Sequence, residues 1–324
     1  MSTSGTNFSS AAPAEAAPQA NTLARQSWSK TMITLMRREL WEHRALWMTP
    51  LMVAGLLILL AIAVHIGPMS IGASAQEFFQ SPGNRRGIFT LVMWGQAVPQ
   101  YLVMLVVLSF YLLDCLYQER KDRSILFWKS LPVSDADTVI SKLLVAIVLV
   151  PLLVYAVALV TSILTWALWS ARQSFGALIP NAIVWNTIDW LKVQALMLYG
   201  LLVSMCWYAP LAAFLLLVSV WARKNVILWA TLPPLILLIF EKPALGTTWF
   251  KHLLEYRTWG VFGAMGLDHP PPDMGHGRVV SLADLFDNVA MSKALTNIDL
   301  WLGLAVAAAL VLAAIRIRRY RDDT

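Results

Sequence analysis

The sequence predicts an all-α polytopic membrane protein with six transmembrane helices. Composition, block structure and charge placement predict it. The 324 residues are 58% hydrophobic and only 14% charged, with a mean hydropathy of +0.62. Soluble domains average about 45–50% apolar and about 25% charged residues. The apolar residues here come in long blocks, not at the spacing of a soluble core. Many of the 15 tryptophans sit near block ends (Trp47, Trp94, Trp166, Trp169, Trp221, Trp301), where interfacial belts place them.

At the N-terminus, residues 1–27 are rich in Ala, Pro, Ser, Thr and Gln without periodicity, a composition that reads as a disordered tail. Over 28–44, Ile33, Met36 and Leu40 recur at helical spacing among Arg37, Arg38, Glu39, Glu42 and Arg44. That pattern predicts an amphipathic helix on the membrane surface. A transmembrane domain is expected over 45–317. The first apolar block starts near Leu46, too late for a signal peptide, so it reads as a retained span. A span needs about 20 mostly apolar residues. Blocks at about 46–66, 91–113, 143–169, 195–220 and 298–315 qualify. The block at 226–240 is short and carries Pro233-Pro234. At about 1.5 Å per residue it reaches about 22 Å, so it either thins the bilayer or is completed by the residues after Phe240.

Charge decides the count. Six spans put both termini, 114–142 and 221–225 on one side, together with 16 of the 25 basic residues. The positive-inside rule places that side in the cytoplasm, including the tail at 318–324. A net charge of +6 then reads as contact with anionic lipid, not with nucleic acid. The outer loops are expected to hold short re-entrant or interfacial helices: one around Trp185, Ile188, Trp190 and Leu191, and two within 241–297. Of those two, one covers Thr247–Tyr256 and one starts from an N-cap at Ser281. No internal repeat is visible. Cys115 and Cys206 lie in different settings and suggest neither a disulfide nor a metal pair.

Residues 114–142 form a charged island between two apolar blocks. Inside it, Ile125, Leu126, Phe127 and Trp128 make an apolar patch, closed by Pro132 and then Ser134-Asp135-Ala136-Asp137. A loop that only had to stay wet needs no such patch. Phe127 and Trp128 suit anchors in a partner's pocket, with Glu119, Arg120, Asp122 and Arg123 as a polar rim. A juxtamembrane helix lying on lipid is the other reading. The chain has no Gly-x-x-x-x-Gly-Lys-Ser/Thr phosphate cradle, so ATP, if it drives this protein, is hydrolysed on another polypeptide.

This island resembles the cytoplasmic loop between spans two and three of ABC-2 type permeases, the membrane subunits of many bacterial ABC exporters. The resemblance rests on Glu119-Arg120, Arg123-Ser124, Ile125–Trp128, Leu131-Pro132-Val133-Ser134 and Lys142. Arg123 stands where many members have Gly. The six-span layout and the surface helix extend the likeness to about 45–315. It implies an ABC-2 permease fold in the bacterial inner membrane, paired with a second permease subunit of the same or another kind. Two ATPase subunits would carry ATP and Mg, and this chain no cofactor. The coupling residues implied are Glu119, Arg120, Asp122, Arg123, Ile125, Leu126, Phe127, Trp128, Pro132 and Ser134. ATP-driven closure of the ATPases would move the docked loops, and spans two and three would move with them as levers.

Within the spans, Gln96 and Gln100 share a helix face and either line a translocation path or join helices by hydrogen bonds. His65 reads as an interfacial histidine, and Glu241-Lys242 as a gate pair or a solvated pair. His252, His269 and His276, with Asp268, Asp273, Met265 and Met274, match no standard zinc spacing, so no metal site is expected. No His-Glu-x-x-His, Gly-x-Ser-x-Gly or intramembrane carboxylate pair is present, which disfavours an embedded enzyme. A non-transporting anchor that shares the docking loop is the alternative. The acid-poor bundle leans towards an amphiphilic or lipid-like cargo.

Overall fold

The computed structural model describes residues 28–66, 82–124, 133–174, 186–265, 289 and 292–320. Every regular element among them is helical: α1 Trp28–Glu42, α2 Ala45–Ile66, α3 Pro82–Lys121, α4 Asp135–Leu144, a π-helical stretch Val145–Leu149, α5 Val150–Ser174, α6 Thr187–Trp207, α7 Ala209–Trp221, α8 Val226–Leu245, α9 Trp249–Ala264, α10 Ser292–Thr296 and α11 Ile298–Tyr320. Six of the helical segments are long and apolar enough to cross a membrane. Large apolar side chains such as Leu51, Leu56, Leu102, Phe110, Leu237 and Leu312 point outward. Helices suit such surroundings because they satisfy their own backbone.

Several expected boundaries move, for local reasons. The second span is part of α3, 40 residues long and about 60 Å at 1.5 Å per residue. The third span merges with α4 through the π-helical stretch. Pro151 comes just after that stretch. Its ring cannot donate to the Ile147 carbonyl and crowds it, and the wider π turn absorbs the misfit.

The fourth span, expected as one block, breaks at Tyr208 between α6 and α7, where Pro210 occupies the first turn of α7. Its first turns include Ile188, Trp190 and Leu191, expected to rest separately at the interface, whereas Trp185 lies outside the described residues. Asn186 caps α6, accepting from the amides of Ile188 and Asp189, and Trp190, half-buried, packs against the cluster around Phe89.

The short fifth block is a full 20-residue helix. Glu241 is only 7% exposed, yet it continues the helix because its carboxylate is satisfied. It accepts from Phe250 N at 2.8 Å, Lys251 N at 3.2 Å and the Thr247 hydroxyl at 3.3 Å, so it caps the start of α9. Gly246, at φ 64°, supplies the left-handed turn between the helices. Glu241 thus holds a helical hairpin, while Lys242 beside it is exposed. Helix α9 covers most of the segment expected to be helical near 247–256 and runs on to Ala264.

Helix α11 packs along α7, α2 against α5 and α3, and α3 against α7. The main core cluster is built on Leu46, Leu112, Leu116, Val139, Val150, Val154 and Leu216. A second, around Phe89, Met93, Ala97, Ala158, Val193 and Met197, fills the far half of the bundle. The third surrounds Trp207, whose indole donates to the Arg257 carbonyl at 2.9 Å beneath the Arg257 guanidinium.

Helix α1 is rotated from the expected face. It buries Met32, Leu35 and Glu39, while Ile33 is 61% and Trp41 70% exposed. It packs on α4, and the Trp28 indole donates to Asp137 Oδ1 at 3.0 Å.

Candidate functional site

Helices α1, α3, α4 and α11 meet in a buried ionic cluster at one end of the bundle. Each contributes one charge to the innermost four. Glu39 comes from the inward face of α1, at helical spacing from Met32 and Leu35. Glu119 lies in the last turn of α3, Lys142 near the end of α4, and Arg318 near the end of α11.

Lys142 Nζ stands 2.8 Å from Glu39 Oε1 and 3.0 Å from Glu119 Oε1. Arg318 Nη1 donates to Glu119 Oε2 at 2.7 Å, and its Nε donates to Asp135 Oδ1 at 3.1 Å. The side chains of Glu39 and Lys142 are 1% exposed, and those of Glu119 and Arg318 4%. Tyr111 donates its hydroxyl to Glu39 Oε2 at 3.0 Å. Arg38 borders the group and pairs with Glu42 at 3.0 Å.

Two acids and two bases make the innermost four neutral. Such a set tolerates burial only when every charge is paired and hydrogen-bonded, because desolvation costs several kcal/mol per ion. It therefore fixes the relative position of four helices in one arrangement.

His43, in the bend between α1 and α2, lies edge-on to Tyr111 at 4.9 Å and 3.9 Å from Glu39 Oε2. Burial lowers its affinity for a proton below the ordinary 6.5; Glu39 opposes this and Lys142 reinforces it.

Glu119 and its neighbour Arg120 face opposite ways. Arg120 Nη2 donates to the Ser219 and Ala222 carbonyls at 2.6 and 2.8 Å, closing the C-terminal end of α7. Ser219 Oγ in turn accepts from the amides of Leu116 and Tyr117 at 3.2 and 3.0 Å. The end of α3 is thus tied to the corner between α7 and α8 as well as to the ionic cluster.

The expected coupling residues separate into three groups. Ile125, Leu126, Phe127, Trp128 and Pro132 lie outside the described residues. Glu119 and Arg120, expected at the rim of the patch, turn inward instead, since the bundle offers their charges closer partners than solvent does. Asp122, Arg123 and Ser134 remain near the loop. Asp122 accepts from Gln118 at 2.9 Å. Arg123 takes φ 56°, just past the end of α3, the left-handed position that Gly usually fills. Ser134 caps α4, accepting from Asp137 N at 3.0 Å and donating to its carboxylate at 2.7 Å.

Of the residues read as a possible path, Gln100 is 1% exposed inside the chain's own bundle, and Gln96 is half-buried. His269, His276, Asp268, Asp273 and Met274 lie outside the described residues, as does the side chain of His65. His252 is exposed beside Glu255, and Met265 packs against the Trp207 cluster. No group of three metal-ligating side chains occurs among the described residues.

Sequence expectation missed Glu39 and Arg318 as site residues. A signal for Glu39 was present: a lone acid on the apolar face of an amphipathic helix. Lys142 was read only as the lead-in to span three. Compared with known families, curated proteins and solved structures, the chain matches none.

Proposed function

We propose that this chain is the membrane subunit of an ABC-type exporter, working as a pair on two ATPase subunits that dock on the loop between α3 and α4. The carrying observation is the anchoring of that loop. Both of its roots, Glu119 on one side and Asp135 and Lys142 on the other, are held in one ionic cluster with α1 and α11. A push on the loop is then passed to four helices as a rigid-body shift, not absorbed by bending at the loop's base.

Arg123 adds support. It stands where the resembled permeases often have Gly, and its backbone adopts the conformation Gly favours. Hydrolysis belongs to the partner, since this chain carries no phosphate cradle. The proposed site is the bacterial inner membrane, with both termini and the loop in the cytoplasm.

The test is affinity isolation of the tagged full chain from its native membrane, with assay of bound ATPase. Bound ATPase is expected with the wild type and should be lost in Phe127→Ala/Trp128→Ala while membrane insertion persists. Absence of any ATPase from the wild-type isolate refutes the reading; retention by the double variant moves the docking site elsewhere.

A further inference from the structure

Helix α3 carries four buried polar atoms within six residues that have no hydrogen-bond partner among the described residues. They are Gln96 Oε1, both amide atoms of Gln100 and the Tyr101 hydroxyl. Gln100 is 1% exposed. It lies between the two main core clusters: Ala97, three residues before it, belongs to one, and Met104, four residues after it, to the other. Tyr101 packs against both.

Nearby buried polar groups on α5 and α6 behave differently. Thr161, Ser162 and Thr165 donate to carbonyls of their own helix. Tyr155 donates to the Gln194 carbonyl and Trp190 to Ser162. Among the described residues, the unmet hydrogen-bonding capacity in this half of the bundle gathers on Gln96, Gln100 and Tyr101.

A carboxamide left dry in an apolar layer is costly, and leucine would fill the same space without that cost. Two carboxamides and a phenol offer donors and acceptors but no charge. Their guest must be uncharged, must both donate and accept, and must fit between packed helices. Water meets all three conditions. Pro99 adds a reason for water at this level: it has no N–H for the Gly95 carbonyl, so the helix ladder is already interrupted beside Gln100.

We propose that Gln96, Gln100 and Tyr101 form an internal water site in the middle of α3, where bound water satisfies the Gln100 amide beside the Pro99 break. The site separates the end of α3 held by the ionic cluster from the end packed around Phe89. The proposal stands whether or not an ATPase drives the chain.

The test uses the full chain in lipid nanodiscs. Bulk water is exchanged briefly for oxygen-18 water before a hydroxyl-radical pulse, and the oxygen isotope incorporated at Tyr101, Met93 and Met104 is read by mass spectrometry. Oxygen from slowly exchanging, pre-existing water is expected at Tyr101 or Met104 in the wild type and lost in Gln100→Leu. That variant should also unfold several degrees lower. Absence of such label in the wild type, its persistence in Gln100→Leu, or a higher unfolding midpoint for that variant overturns the proposal. Should Gln100→Leu fail to fold, Tyr101→Phe replaces it, with loss of the slow-exchange label at Met104 expected, and the wild-type label remains decisive alone.

Discussion

Lys142 Nζ and Glu39 Oε1 stand 2.8 Å apart with both side chains 1% exposed, joining the first described helix to the start of the third span across 103 residues of sequence. Removing one partner strands the other charge in the bundle. Lys142→Met is expected to cost about 3–5 kcal/mol of stability. Glu39→Gln/Lys142→Met keeps the neutral Glu119–Arg318 pair, so its loss should fall short of the summed single losses by about 1–3 kcal/mol. Unfolding midpoints of the four forms in one lipid or detergent check this. Strict additivity would mean that the two side chains do not share a site.

Arg123 gives a prediction of opposite sign. A non-glycine residue in the left-handed region costs about 1–2 kcal/mol, part of which Gly gives back as unfolded-chain entropy. Arg123→Gly should therefore raise stability by up to about 1 kcal/mol, measured by thermal unfolding. A clear loss would show that the Arg123 side chain makes a contact worth more than its backbone strain.

His43 sets a pH dependence. Its proton affinity in the folded chain lies below the ordinary 6.5, so the unfolded chain binds the proton more readily. The stability His43 contributes is complete above about pH 7 and is lost as pH falls below 6.5 towards its folded value. Around it lie Glu39, Glu42, Asp114, Lys142 and the Tyr111 ring. Between about pH 7 and pH 5, the wild type should lose more stability than His43→Gln. Parallel profiles would remove His43 from the acid response.

Much of the architecture was legible because spans announce themselves as apolar blocks. What stayed hidden was set by pairing and by local backbone chemistry. The fifth span, α8, looked too short because Glu241 reads as an end, and only the α9 amides explain a carboxylate inside a helix. The fourth looked continuous because a break of one residue at Tyr208 leaves hydropathy unchanged. Glu119 and Arg120, read as the polar rim of a loop patch, turn inward instead, since direction depends on partners far along the chain: Arg318 for Glu119, and Ser219 and Ala222 for Arg120. Glu39 alone carried a legible hint, an acid on an apolar stripe.

The sidedness of the α3–α4 loop tests the central claim most directly. Lys121, exposed at the end of α3, can be replaced by Cys in a Cys206→Ser background; native Cys115 is 1% exposed and shielded from reagent. An impermeant maleimide applied to intact cells, and then to inverted membrane vesicles, reports which face the loop occupies. Labelling only in inverted vesicles is the predicted result. Labelling in intact cells would put the loop out of reach of any cytosolic ATPase and contradict the account.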